Sequence, residues 1–70
     1  MRYAVVIENA GGNYSGYVPD LPGCAATGAS IEETEQALRE AIEFHLAGMR
    51  EDGDPMPLPS SYVEYIEVAA

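Results

Sequence analysis

The segment from Ser30 to Gly53 constrains the fold most, because it has the pattern of one long amphipathic helix. Ser30 can cap the free N–H groups of the first turn, and Glu33, three residues later, completes a capping box. Gly53 is suited to end the helix. The apolar stripe on one helix face consists of Ile31, Thr34, Leu38, Ala41, Ile42, His45, Leu46 and Met49. A stripe of this length needs a surface to cover it, which the rest of the chain must provide.

Short strands are predicted before and after this helix in the sequence. Tyr3 to Ile7 is rich in β-branched and aromatic residues, and Tyr14 to Val18 returns after a turn of glycine and asparagine. A turn over Pro19 to Gly23 leads to a short third strand, Cys24 to Thr27. After a proline-spaced connector, Tyr62 to Val68 alternates like a final strand. We therefore predict an α+β fold, a single β-β-β-α-β layer with a three-stranded antiparallel meander, one helix and a final strand.

The length of 70 residues allows one small domain, residues 1–70, with a small core. A chain of this size hides only about 60% of the surface that its unfolded form exposes. Cys24 is the only cysteine and His45 the only histidine, so neither a disulfide nor a common zinc site is expected. We predict no metal and no cofactor. Self-association into a homodimer or a larger homo-oligomer is the expected source of additional stability.

The charge of the chain is strongly negative and limits its partners. Three arginines stand against twelve acidic residues, giving a formal net charge of −9. Direct binding of nucleic acid is not expected, because it depends on lysine and arginine contacts to phosphates. A basic protein surface is the favoured partner. No secretory signal or membrane span is predicted, and a free thiol fits the reducing cytoplasm.

The residues that could support catalysis form no convincing set, so we predict no catalytic residues and no enzyme activity. Cys24 and His45 are the only possible nucleophile and base, and both have the sequence context of core residues. Glu8, at the end of the first strand, is the only carboxylate there, which is too few for a two-metal nuclease site. Asp52 and Asp54 suggest a calcium loop, but the prolines that follow interrupt the required ligand spacing.

Four segments together closely resemble the HicB antitoxin family: Tyr14 to Gly28, Ser30 to Glu33, Arg39 to Ile42, and Gly53 to Ser60. The most specific part is the Pro-Asp-Leu-Pro-Gly-Cys turn with a helix start shortly after it. The resemblance implies a truncated ribonuclease-H-like α/β layer. It also implies a function, neutralisation of HicA, a small basic ribonuclease that cleaves messenger RNA.

Many HicB antitoxins carry a DNA-binding segment after this domain, whereas this sequence ends at Ala70, so we expect no C-terminal DNA-binding domain and no repressor activity. The partner-binding residues that we predict are Tyr17, Asp20, Leu21, Pro22, Gly23, Glu32 and Glu33. The turn residues among them are equally well explained by chain reversal alone. The alternative function is a stand-alone homo-oligomeric interaction module without a toxin partner.

Overall fold

A computed structural model describes residues 1–70 as a three-stranded sheet followed by one helix. The strands are β1 (Val6–Asn9), β2 (Tyr14–Tyr17) and β3 (Ala25–Gly28), and the helix is α1 (Ile31–Glu51). The strands lie in the order β1-β2-β3, and both neighbouring pairs are antiparallel. The predicted α+β class and antiparallel meander are confirmed. The ribonuclease-H-like relationship stays a prediction.

The register of the strands gives the sheet two different faces. Residues directly opposite each other on neighbouring strands point to the same side. The face under α1 contains Ile7, Gly16 and Ala26. The other face, here called the open sheet face, contains Val6, Glu8, Ser15, Tyr17, Ala25 and Thr27. A Cβ built on Gly16 would lie 2.6 Å from Cδ1 of Leu38, so the absence of a side chain at this position lets α1 approach the sheet closely.

The core is small and lies between the sheet and α1. Its buried apolar side chains are Val18, Leu21, Cys24 and Leu38. Three of them belong to the turn after β2, which closes with hydrogen bonds from Val18 N to Cys24 O (3.1 Å), Leu21 N to Val18 O (3.1 Å) and Cys24 N to Leu21 O (3.0 Å). Gly23 completes this turn at a φ of 83°, in the left-handed region that glycine adopts without strain. The turn thus contributes its apolar side chains to the interior.

The helix starts where the capping pattern predicts. The backbone N–H of Glu33 donates to the Ser30 hydroxyl (3.1 Å), and the Glu33 carboxylate accepts from the N–H of Ala29 (3.0 Å). Helix α1 packs mainly over β3 and β2 and makes little contact with β1. A groove therefore remains between α1 and the segment Met1–Val5, which leads into β1.

The predicted final strand over Tyr62 to Val68 does not form within the chain, and this part of the sequence prediction is wrong for the single chain. The segment has no hydrogen-bonded neighbour in the sheet, which consists of β1, β2 and β3 only. A strand needs a paired neighbour, and this segment leaves the sheet and stays exposed along its length. We call Tyr62 to Val68 the C-terminal arm.

Candidate interaction surfaces

The Asp20 carboxylate accepts four hydrogen bonds from the connector between α1 and the C-terminal arm, and we call this arrangement the Asp20 clamp. Its Oδ2 accepts hydrogen bonds from the backbone N–H groups of Ser60 (3.0 Å) and Ser61 (3.1 Å). Its Oδ1 accepts from the hydroxyls of Ser60 (3.1 Å) and Ser61 (2.7 Å). These bonds, the Ser61 hydroxyl first, lower the pKa of Asp20 from 3.8 to about 2. Asp20 was predicted as a partner contact, and the structure gives its carboxylate an internal role.

We expect the Asp20 carboxylate to titrate near pH 2 rather than near 3.8. Because the pKa is lowered in the folded state, the stabilisation is present above the unfolded value and is lost as the pH falls from about 4 towards 2. The amide chemical shifts of Ser60 and Ser61, followed by NMR over this range, would report the titration. Asp20→Asn should remove it from both amides. A midpoint at or above 3.8 in the folded protein would contradict the clamp.

The other predicted turn residues differ sharply in accessibility. Leu21 is fully buried, with 0% of its surface exposed, so the prediction that it contacts a partner is corrected: its side chain packs in the core. The hydrogen-bonded turn directs the Leu21 side chain towards α1. Its burial there is favourable because an apolar surface is removed from water. Pro22 and Gly23 are exposed and form the outer surface of the turn.

The remaining predicted contacts lie on different sides of the domain. Tyr17 is 46% exposed and belongs to the open sheet face, which points away from α1. Glu32 and Glu33 are exposed in the first turn of α1, on the other layer. The structure therefore does not bring Tyr17 and these two glutamates together on one surface.

The outward side of α1 carries an aromatic residue that the sequence prediction missed. Phe44 is 83% exposed, and its neighbours on the same side of the helix are Glu33, Glu40 and Glu51, separated by whole turns. We call these four residues the acidic helix face. The signal was present in the sequence, because an aromatic residue on the polar side of a helical wheel has no core to fill.

Cys24 and His45, the only candidates for a nucleophile and a base, are both at least partly buried. Cys24 is buried, and burial raises the pKa of its thiol. His45 is half-buried in the stripe of α1. No three side chains of histidine, cysteine, aspartate or glutamate lie close enough together to hold a metal ion. The helix is too polar to span a membrane.

These features define a small, acidic α+β domain that presents exposed apolar and carboxylate side chains. A family model described as a HicB-like antitoxin of bacterial toxin-antitoxin systems matches residues 3–69. The chain belongs to this HicB-like antitoxin family.

Curated relatives agree with this assignment. An uncharacterised 14.9 kDa protein from the rep-hol intergenic region of Haemophilus phage HP1 is 38% identical over 66 residues, which cover 94% of this chain and 50% of the phage protein. The chain thus spans half the length of that relative. A UPF0150 protein of Archaeoglobus fulgidus is 40% identical over 57 residues, covering 77% of this chain and 83% of the relative. A UPF0150 protein of Thermotoga maritima is 41% identical over 56 residues, covering 79% and 71%.

Proposed function

We propose that this chain is an antitoxin that binds a basic, HicA-type toxin and blocks its access to messenger RNA. The observation that carries the proposal is the family match over residues 3–69. The formal charge of −9 supports it, because a ribonuclease that binds a polyanion needs a cationic surface, and an acidic domain is attracted to that surface. The cytoplasm, where messenger RNA is translated, is the proposed site of action.

The acidic helix face is the surface best suited to this role. A large exposed aromatic side chain such as Phe44 can fill a pocket on the toxin and contribute most of the binding energy. The surrounding carboxylates of Glu40 and Glu51 would chiefly speed the encounter, since exposed ion pairs contribute at most about 1 kcal/mol each. Neutralisation then needs no chemistry from this chain: the bound antitoxin covers the RNA-binding surface and the active-site histidine of the toxin.

Among the contacts predicted from the sequence, those with exposed side chains remain proposals at the edge of this interface. They are Pro22, Gly23 and Glu32, together with Glu33, which belongs to the acidic helix face itself, while Tyr17 would belong to a second contact on the open sheet face. The alternative function is a stand-alone homo-oligomeric module. It is favoured by the unpaired C-terminal arm, and it is compatible with toxin binding.

Co-expression with a HicA-type toxin encoded by an adjacent reading frame is expected to restore growth. The purified proteins should form a complex that weakens as salt rises. Phe44→Ala should weaken that complex at least about tenfold at every salt concentration, as expected for an aromatic anchor. Replacing Glu40 and Glu51 with glutamine should instead slow association and flatten its salt dependence.

The matched control is Leu58→Ala, which removes a side chain that is 78% exposed on the connector and should leave binding unchanged. Failure of the wild-type chain to associate with the toxin at low salt, together with continued toxicity in excess antitoxin, would show that the proposal is wrong. Growth rescue separates the antitoxin from the stand-alone module, which would give none.

A further inference from the structure

We propose that the C-terminal arm of one copy pairs with the free edge of β1 in a second copy and fills the groove there, which lies between α1 and the segment Met1–Val5 that leads into β1. The exchange is reciprocal, so the fourth strand predicted from the sequence forms between chains. This inference rests on the arm and the groove and is independent of the toxin.

The arm is too apolar to be a stable solvent-exposed tail. Its large side chains are exposed to 85% at Tyr62, 94% at Tyr65, 83% at Ile66 and 74% at Val68. The radius of gyration is 13.8 Å, whereas a compact chain of this length has about 11 Å. The longest dimension is 48 Å, well above the length of about 31 Å that a helix of 21 residues has. The isolated chain therefore leaves a strand-like, hydrophobic segment without a covering surface.

A matching surface exists beside β1. This strand pairs only with β2, so its other edge has free backbone N–H and C=O groups. Where the chain leads into β1, a groove of about 500 Å³ lies between Met1–Val5 and α1, and its apolar lining includes Tyr3, Val5, Leu38, Ile42 and Leu46. A strand added at the β1 edge would satisfy the backbone groups and place alternate side chains in this groove.

The start of the arm is fixed close to the same edge. The Tyr3 hydroxyl donates to the carbonyl of Pro57 (2.6 Å), and the Asp20 clamp holds Ser60 and Ser61. Residues at the start of the arm line a second small cavity together with Arg2, Tyr3 and Ala4. From this point the arm leaves its own sheet. Every copy therefore has one arm and one groove. In a dimer with twofold symmetry, each arm binds in the groove of the other copy, so no arm and no groove is left unoccupied.

The charges favour a second copy over a basic partner. Two of the three arginines of the chain, Arg2 and Arg39, line the groove, where they stand beside Glu35 and Glu43. On the arm, Glu64 lies on the same face of an extended strand as Ile66, so its carboxylate can reach those arginines when Ile66 packs in the groove. In a chain with a charge of −9, this groove combines two arginines with two glutamates, so it attracts a cationic toxin less than the acidic surface elsewhere.

The area available is sufficient for a stable dimer. A buried aromatic side chain alone accounts for roughly 150–250 Å², and each arm has two tyrosines and three aliphatic residues. If about 400 Å² of each arm and an equal area of each receiving surface are covered, two arms bury about 1,600 Å², the size of a standard stable interface.

Sedimentation of a matched pair of variants tests the exchange. Ile66 on the arm and Phe44 on the outward side of α1 are each 83% exposed in the single chain. We expect the wild-type chain to be a dimer at micromolar concentration. Ile66→Asp should weaken the dimer at least about 100-fold, because the substitution counts twice in a symmetric interface, whereas Phe44→Asp should leave it unchanged. Deletion of residues 62–70 should give a monomer with unchanged circular dichroism of the helix.

Cross-linking determines which chain receives the arm. With Cys24 replaced by alanine, one chain carries Glu43→Cys in the groove and another carries Ile66→Cys. After mixing and treatment with a short bis-maleimide, a covalent dimer containing one of each chain is expected. A chain carrying both cysteines that cross-links only within itself, or a wild-type chain that sediments as a monomer, would overturn the proposal. Neither result would affect the antitoxin test, which measures toxin binding and growth.

Discussion

Gly28→Ala is expected to destabilise the domain by about 3 kcal/mol, the upper part of the usual range for overpacking. A Cβ at this position would lie 2.7 Å from both the backbone N and the Oγ1 of Thr34, and 3.0 Å from the carbonyl carbon of Glu33. These atoms belong to the first turn of α1, where the Thr34 hydroxyl donates to Ser30 O at 2.8 Å. The helix start would have to move away from β3, and a domain of this size has a total stability of only about 4–10 kcal/mol.

Urea denaturation followed by circular dichroism, at one fixed chain concentration, measures this loss. Gly48→Ala provides the matched control, because the same methyl group would meet no atom within 4 Å. Gly48 lies within α1, so alanine there should stabilise the protein by up to about 1 kcal/mol. Equal stability of the Gly28→Ala variant and the wild type would contradict the close contact between β3 and the start of α1.

Leu38→Ala is expected to cost about 2–5 kcal/mol, the range for removing a leucine from a packed core. Leu38 is 1% exposed and belongs to the set of four buried apolar residues, so little neighbouring structure can collapse into the space it leaves. If the free energy of unfolding of the wild type lies near the lower end of the range of about 4–10 kcal/mol, this substitution alone unfolds much of the population at 25 °C. The variant should show a much lower urea midpoint and a weaker helix signal by circular dichroism.

Leu58→Ala is the corresponding control, because it makes the same chemical change at a side chain that is 78% exposed. It should change stability by no more than about 0.5 kcal/mol. A Leu38→Ala variant as stable as Leu58→Ala would mean that the core lies elsewhere in the chain.

The helix and the first three strands were predictable because their signals are local. The Ser30 and Glu33 cap, the helix stripe and the turn after β2 all depend on residues close in sequence. The strand boundaries in the structure differ from the predicted ones by up to three residues. β1 starts at Val6 rather than Tyr3, because β2 ends at Tyr17 and the chain then enters the turn, leaving Tyr3 to Val5 without a partner.

The features that were missed depend on contacts between distant parts of the chain. The alternation of Tyr62 to Val68 indicates a strand but does not say which edge receives it. The burial of Leu21 follows from the way the turn folds under α1. The clamp between Asp20 and Ser60 joins residues forty positions apart, which no local pattern reveals.

The four buried core residues all lie within Val18–Leu38, in the middle of the chain. Contacts between residues close in sequence form early, since little loop entropy is lost in making them. The turn, β3 and the first half of α1 can therefore close the interior first, and β1 can join afterwards. Refolding would start with a fast step that does not depend on protein concentration. The proposed exchange of arms would add a slower bimolecular step, in which two nearly folded subunits meet.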